Sequence, residues 1–217
     1  GVRGLRVAYS PTLGHVRNLH PEVAQAVERG VKILQALGAQ VEQVDPGFAD
    51  PLHISTGLWF AGAATIWRGL SEAQRAQTDP DFAAEVKLGE SIDLAQLHAL
   101  NMERGLLGSH MRQFMTNWDV LVTPSVAVPA FDAKPAGHTP MSAQAMLGWT
   151  PYSYPFNLTQ QPAITVPCGL SSEGLPLGIQ FVGRMFDDAM VLRVARAFES
   201  AVPVARPSLA WAKSDAA

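Results

Sequence analysis

Residues 156–184 read FNLTQQPAITVPCGLSSEGLPLGIQFVGR, and this stretch decides the fold. Two apolar runs within it, at 163–166 and 177–182, are rich in β-branched residues and are bounded by proline and glycine, which predicts two buried strands. The polar segment 170–174 ends in glycine and has the length of a hairpin connection. The stretch therefore predicts a β-hairpin near the end of the chain.

The residues around this hairpin continue the pattern. Pro167 and Pro176 are expected at strand borders, where a missing amide hydrogen is tolerated. After Arg184 the apolar residues recur at a spacing of three to four, which predicts a helix packed on the strands. The residues of that apolar face are Met190, Val191, Val194, Ala195 and Phe198.

The first forty-five residues predict a strand, a helix and a second strand. The first strand covers 5–9 and the second covers 41–45. The helix between them opens at Pro21 and stops at Gly38, since proline suits a first helical position and glycine a helix end. Such a βαβ unit is expected to have parallel strands and a right-handed connection.

The middle of the chain reads as mostly helical. A short helix is expected over 81–88, ended by Gly89, and a longer one over 94–118. Gly105 and Gly108 weaken the longer helix by about 1 kcal/mol each relative to alanine, unless a neighbour packs closely there.

The remaining segments complete a single expected domain over 1–217 of the α/β class. A third core strand is predicted at 119–124. Residues 125–155 are rich in proline, glycine and alanine, which predicts a long loop that lines a pocket or is mobile. The tail 203–217 is expected to be partly disordered.

Composition excludes several classes of function. The chain has 217 residues, a net charge of −3 and no run of lysine or arginine, so neither nucleic acid nor a membrane surface is expected as a partner. It has no stretch of 18 apolar residues. We expect no signal peptide, and the leading Gly1 is typical of a cut boundary. The single cysteine fits a reducing compartment, and the cytoplasm is the expected location.

No constellation of catalytic residues stands out. The six histidines show no HxH or HExxH spacing, and no Gly-x-Ser-x-Gly, phosphate-binding or dinucleotide motif is present, so neither a metal nor a cofactor is expected. Cys168 is interpreted as a small core residue and not as a reactive thiol. Asp187 and Asp188 are interpreted as capping residues of the last helix and not as a catalytic carboxylate pair.

Several motifs together carry a resemblance to a known family. They are DVLVTP at 119–124, FNLTxQPAITVPxG at 156–169 and GLPLGIQFVGR at 174–184. In this order and spacing they resemble the C-terminal half of the amidase signature family. The segments 4–8 and 20–23 look like the strand and helix that follow that family's catalytic core, and 81–89 resembles its middle.

The resemblance implies amide hydrolysis by a Ser–cis-Ser–Lys triad, which in the family lies in the N-terminal half. A neutral lysine amine accepts a proton through the bridging serine, the nucleophilic serine attacks, and backbone amides stabilise the oxyanion. This sequence has no Gly-Gly-Ser-Ser-Gly loop, and none of its four lysines matches the family position; these are Lys32, Lys87, Lys134 and Lys213. We therefore expect this chain to be half of an amidase that lacks the catalytic residues and is inactive alone.

By the same resemblance, this half supplies a mixed central sheet of about five strands flanked by helices, and walls of the pocket for a small-molecule amide. Gln160, Gln161 and Ile164 are expected near the missing catalytic loop. The family often has glycine where Gln160 stands. We expect the larger side chain of glutamine to narrow the pocket or to alter the turn. Three aromatic residues are candidates for a pocket lid, with plain core packing as the alternative for each: Trp59, Trp149 and Tyr152.

Only small sequence differences between this chain and members of the family constrain the substrate and the partners. The A subunits of glutamine-using amidotransferases tend to carry a basic pair after the Glu-Val of the middle motif, whereas Lys87 is followed by Leu88 here. This favours a stand-alone amidase acting on an apolar or aryl amide over the A subunit of a glutamyl-tRNA amidotransferase.

Two other hypotheses for the function are a non-catalytic module that binds a partner through residues 125–155, and an enzyme using Cys168 or a histidine. An uncovered sheet edge or apolar face would also favour a homo-oligomer.

Overall fold

The computed structural model describes residues 1–131 and 149–202, which form a five-stranded mixed sheet. The strands are β1 (Arg6–Tyr9), β2 (Gln40–Gln43), β3 (Val120–Pro124), β4 (Ala163–Leu170) and β5 (Pro176–Gly183). Their order across the sheet is β2-β1-β3-β5-β4. Strand β1 is parallel to β2 and β3, whereas β5 is antiparallel to β3 and β4. The predicted parallel pair, the hairpin and the mixed α/β sheet are thus confirmed.

Seven helices are described. They are α1 (Pro21–Ala36), α2 (Leu52–Arg68), α3 (Glu72–Arg75), α4 (Pro80–Glu90), α5 (Leu94–Phe114), α6 (Tyr154–Thr159) and α7 (Asp188–Ala201). Local chemistry fixes several of their ends. Asp93 and Gln96 form a capping box at the start of α5. The carboxylate of Asp187 accepts from the backbone N–H of Met190 at 3.3 Å, which confirms its predicted capping role at α7.

The sheet separates two hydrophobic cores. Alternate residues of the strands point to opposite faces. On the first face, Val122 and Phe181 belong to a core formed with α1 and α7. On the second face, Leu121 and Val182 belong to a core that includes residues of α5 and α6. Both faces of the central strands are therefore buried.

The predicted end of the short helix at Gly89 is wrong, because α4 continues through Gly89 to Glu90. A methyl group at Gly89 would overlap the backbone carbonyl of Phe60 in α2. The glycine therefore permits close helix packing and does not end the helix. The longer helix also differs from its prediction: α5 ends at Phe114, and 115–118 continue only as turns.

The predicted strand border at Pro167 is also wrong, since β4 runs on to Leu170. Proline is tolerated there because β4 is the last strand of the sheet, and the register shifts between Pro167 and Gly169. Pro176 does begin β5, as predicted.

Helix α6 begins at Tyr154, so the final part of the predicted 125–155 loop is helical. Residues 132–148 of that loop and the predicted tail 203–217 lie outside the described residues. None of the described helices combines the length and the apolar character that a membrane span requires.

Candidate functional site

A groove of about 410 Å³ lies between the turn that follows α6 and the turn that follows β5. Its volume falls in the usual range for small-molecule sites. The residues that line it are Phe156, Asn157, Gln160, Gln161, Pro162, Phe186 and Asp188. The groove therefore brings together two of the residues that the sequence singled out, Gln160 and Gln161.

Gln160 forms one wall from an unusual backbone conformation. Its φ of 60° and ψ of 27° are left-handed, and its N–H donates to the carbonyl of Phe156 at 2.8 Å, which ends α6. A side chain in this region costs about 1–2 kcal/mol relative to glycine. Glutamine here keeps the left-handed conformation that glycine adopts most readily, and its side chain is exposed.

Gln161 is buried and braces the groove. Its Oε1 accepts from the Thr159 hydroxyl at 3.0 Å, and its Nε2 donates to the carbonyl of Gly183 at 2.9 Å. The N–H of Gly183 donates in turn to the carbonyl of Pro162 at 2.8 Å. These bonds tie the turn after α6 to the end of β5, so the two walls of the groove are held at a fixed separation.

Phe186 forms the opposite wall and was not singled out from the sequence. Its φ is 66°, again left-handed, and its side chain is 89% exposed. Two non-glycine residues with left-handed backbone therefore face one groove, and such residues cluster at functional sites. The position of Phe186, in a turn between a strand and a helix, was visible in the sequence, but its backbone conformation was not.

The three candidate lid residues do not lie together in the groove. Trp59 is 59% exposed on α2, and its indole N–H donates to the buried Glu85 carboxylate at 2.9 Å. Trp149 is half-buried and packs edge-on against Phe131, with ring centroids 5.9 Å apart. A part in substrate binding stays a prediction for both tryptophans.

Tyr152 and Ile164 belong to the cores. Tyr152 is wholly buried, its hydroxyl donates to the carbonyl of Pro11 at 2.6 Å, and burial raises its pKa above the usual value. Its own carbonyl accepts from Gln180 Nε2 at 2.9 Å. Ile164 is half-buried against the first core. In this structure Tyr152 therefore packs in the core, which is the alternative to a lid role that the sequence left open. Any contact with a substrate would require Tyr152 to move.

Replacing Gln160 by glycine is expected to raise the free energy of unfolding by about 0.5 kcal/mol. Relief of the left-handed strain exceeds the extra chain entropy that glycine brings to the unfolded state. Urea unfolding followed by circular dichroism measures the change. Gln160→Ala is the matched control, because it removes the carboxamide but keeps Cβ and should bring no gain. A glycine variant less stable than the alanine variant would contradict the assigned backbone conformation.

The groove can form hydrogen bonds and stack a ring, but it holds no nucleophile beside a base. Its polar groups are the carboxamides of Asn157, Gln160 and Gln161 and the carboxylate of Asp188. Burial raises the pKa of the Cys168 thiol to about 11, so little of it is thiolate near neutral pH. Within 1–131 and 149–202, no cluster of three histidine, cysteine or acidic side chains could hold a metal ion.

Known proteins share this architecture. The family model described as Amidase matches residues 2–192. The acylamidase of Rhodococcus erythropolis is 32% identical over 93% of this chain and 43% of its own length. The A subunit of the glutamyl-tRNA(Gln) amidotransferase of Acidobacterium capsulatum is 34% identical over 92% and 46%. The structure of 6-aminohexanoate cyclic dimer hydrolase complexed with substrate superposes with a TM-score of 0.80, 25% identity, and coverage of 96% and 48%. The chain thus spans about half the length of these relatives.

Proposed function

Since the chain belongs to the amidase signature family, we propose that it forms the C-terminal part of an amide-bond hydrolase whose triad lies on polypeptide outside this sequence. One observation carries the proposal: the family match spans 2–192, yet the sequence has no Gly-Gly-Ser-Ser-Gly loop. The coverage of the relatives, which is 43% for the acylamidase, supports it. The cytoplasm is the proposed location, as the single cysteine indicates.

In this proposal the missing half carries out the covalent chemistry and this half shapes the site. The serine nucleophile attacks the amide carbon, the lysine amine takes the proton through the second serine, and backbone amides hold the oxyanion. The carboxamides of Asn157 and Gln160 are suited to hydrogen-bond the substrate amide. The exposed ring of Phe186 is suited to its apolar part.

The lining of the groove favours an apolar or aryl amide that carries no negative charge. It contains two phenylalanines, three carboxamides and the carboxylate of Asp188 but no lysine or arginine, so nothing in it would pair with the α-carboxylate of glutamine. Lys87 is followed by the exposed Leu88 and not by a second basic residue. The A subunit of a glutamyl-tRNA amidotransferase is the second candidate, because one such protein is 34% identical.

The purified 217-residue chain is expected to show no amide hydrolysis alone. A para-nitroanilide is the probe, since nitroaniline release is followed by absorbance, and a fluorophosphonate reports any activated serine by a mass increase. We expect neither product nor adduct above a buffer blank. Turnover that the fluorophosphonate abolishes, with one adduct per chain, would overturn the proposal, because it would place a working nucleophile in this sequence.

A further inference from the structure

A buried histidine in the loop after β1 has a ring nitrogen without a hydrogen bond. Leu13 and Gly14, with φ of 50° and 80°, lie in the turn that precedes it. This turn places Nδ1 of His15 at 3.1 Å from the carbonyl oxygen of Leu13. Because a carbonyl can only accept, we assign a proton to Nδ1, which donates the hydrogen bond. Nε2 is buried and has no hydrogen-bond partner within the described residues.

A carboxylate lies close to this nitrogen. Oδ1 of Asp50, which precedes α2, is 3.8 Å from Nε2, too far for a hydrogen bond but within the range of an ion pair. The same oxygen accepts from the Tyr154 hydroxyl at 2.7 Å and from the N–H of Leu52 at 3.1 Å. Burial and this carboxylate raise the pKa of Tyr154, so its hydroxyl stays protonated and donates. Asp50 therefore joins the loop after β1 to the starts of α2 and α6.

The charge on His15 decides whether the contact with Asp50 is attractive or repulsive. In a neutral ring whose proton is on Nδ1, Nε2 presents a lone pair to a carboxylate oxygen, and a buried acceptor stays unpaired. A second proton, on Nε2, would supply the missing donor. The Asp50 side chain is 45% exposed. It can therefore move by the distance of about 1 Å that a hydrogen bond to Nε2 requires.

The other titratable groups of this cluster include a second carboxylate. Asp45 lies beside the turn, because a methyl group at Gly14 would be 3.6 Å from its carboxylate oxygen. The Phe48 ring packs against His15, with centroids 5.6 Å apart, and also contacts the ring of His110 in α5. The groups around His15 are thus two carboxylates, one tyrosine and one further histidine. A nearby negative charge stabilises a positively charged ring.

We propose that His15 and Asp50 form a pH-sensitive latch, in which the imidazolium binds the carboxylate and holds the loop after β1 against the starts of α2 and α6. Loss of the second proton opens the latch, because Nε2 then has nothing to donate. The proposal does not depend on the amide chemistry. It does not depend on polypeptide outside this sequence either, because the chain itself encloses Nε2.

The variant Asp50→Asn tests the latch through stability. It keeps an oxygen acceptor for Tyr154 and Leu52 but removes the charge that the imidazolium binds. Urea unfolding is measured at about pH 5.5 and about pH 8, on either side of the ordinary titration range of histidine. The latch exists only in the folded state and only with the second proton, so it stabilises the chain at the lower pH and is lost as the pH rises. We expect acidification to lower the unfolding equilibrium constant of the wild type about tenfold relative to Asp50→Asn.

His110→Gln is the matched control. It removes the other histidine that contacts Phe48, and glutamine can still donate to the carbonyl of Pro46. This variant should keep the tenfold difference from Asp50→Asn, because the latch is intact. A wild type with the same pH dependence as Asp50→Asn overturns the proposal, and so does a difference that disappears in His110→Gln.

Nitrogen-15 NMR of the wild-type ring provides the second measurement and does not depend on a variant folding. At the lower pH both ring nitrogens of His15 should carry protons, and at the higher pH only Nδ1 should. A neutral ring protonated on Nε2 would contradict the assigned hydrogen bond to Leu13. A ring that is still neutral at the lower pH, including one whose Nε2 accepts from a bound water, would show that no latch forms.

Discussion

Replacing Gly89 by alanine is expected to lower the free energy of unfolding by about 3 kcal/mol. The added methyl group would overlap the backbone carbonyl of Phe60 and press on Cβ of Ala64 at 3.0 Å. A backbone carbonyl cannot rotate away as a side chain can, so α2 and α4 would have to separate. Urea unfolding followed by circular dichroism measures the loss.

Gly105→Ala is the matched control for this prediction. Gly105 lies within α5, and a methyl group there would meet nothing within 4 Å. The same substitution should therefore stabilise the chain by about 1 kcal/mol, through helix propensity alone. If both variants gained stability, the close contact between α2 and α4 would be refuted.

Replacing Phe198 by alanine is expected to lower the free energy of unfolding by about 4 kcal/mol. Phe198 of α7 is wholly buried and packs edge-on against Phe181 of β5, with ring centroids 5.6 Å apart. It also lies against the small Gly30 of α1. The substitution would leave a cavity where a strand and two helices meet. Urea unfolding should show an earlier midpoint with little change in slope.

Phe186→Ala is the matched control, because it makes the same substitution at an exposed phenylalanine. Because Phe186 is 89% exposed, its removal should change the free energy of unfolding by no more than about 0.5 kcal/mol. A loss at Phe186 comparable with the loss at Phe198 would show that Phe186 is buried in solution. The exposed wall of the groove would then not exist as described.

The sheet could be predicted because its signals are local. Strands β1, β3 and β5 are short, mainly apolar runs bounded by proline, glycine or charge, and each lies within a residue or two of its predicted position. The apolar stripe of the helix after Arg184 was visible in the sequence as a spacing of three to four residues. Val191, Val194 and Phe198 of that stripe are all buried. The joining of the five predicted strands into one mixed sheet came from the resemblance, because pairing between distant segments leaves no local pattern.

Glycine positions could not be interpreted from the sequence alone. The sequence predicts a helix end at Gly89, yet this glycine lies inside α4 because the backbone of α2 passes close to it. Whether a helical glycine ends the helix or admits a neighbour depends on that neighbour. Helix α6 was not predicted, for a different reason. It is only six residues long and carries a proline, so its sequence shows no helical periodicity.

The groove could be predicted in part. The resemblance places Gln160 and Gln161 near the site, and the structure puts both beside Phe186. Phe186 itself was missed, because exposure and backbone conformation arise from the turn between β5 and α7 and not from residue type. Tyr152 was a plausible lid residue in sequence, but its hydroxyl finds a carbonyl partner inside the core, as a buried tyrosine requires.

The most direct test adds the catalytic half that the proposal places outside this sequence. The part of the Rhodococcus erythropolis acylamidase that precedes its matched segment is fused in front of this chain. Hydrolysis of a para-nitroanilide is then compared with that acylamidase part alone and with this chain alone. We predict that only the fusion hydrolyses the amide and that a fluorophosphonate stops it. A fusion that unfolds cooperatively yet shows no hydrolysis, beside an active intact acylamidase, would contradict the assignment of this chain as half of an amide hydrolase.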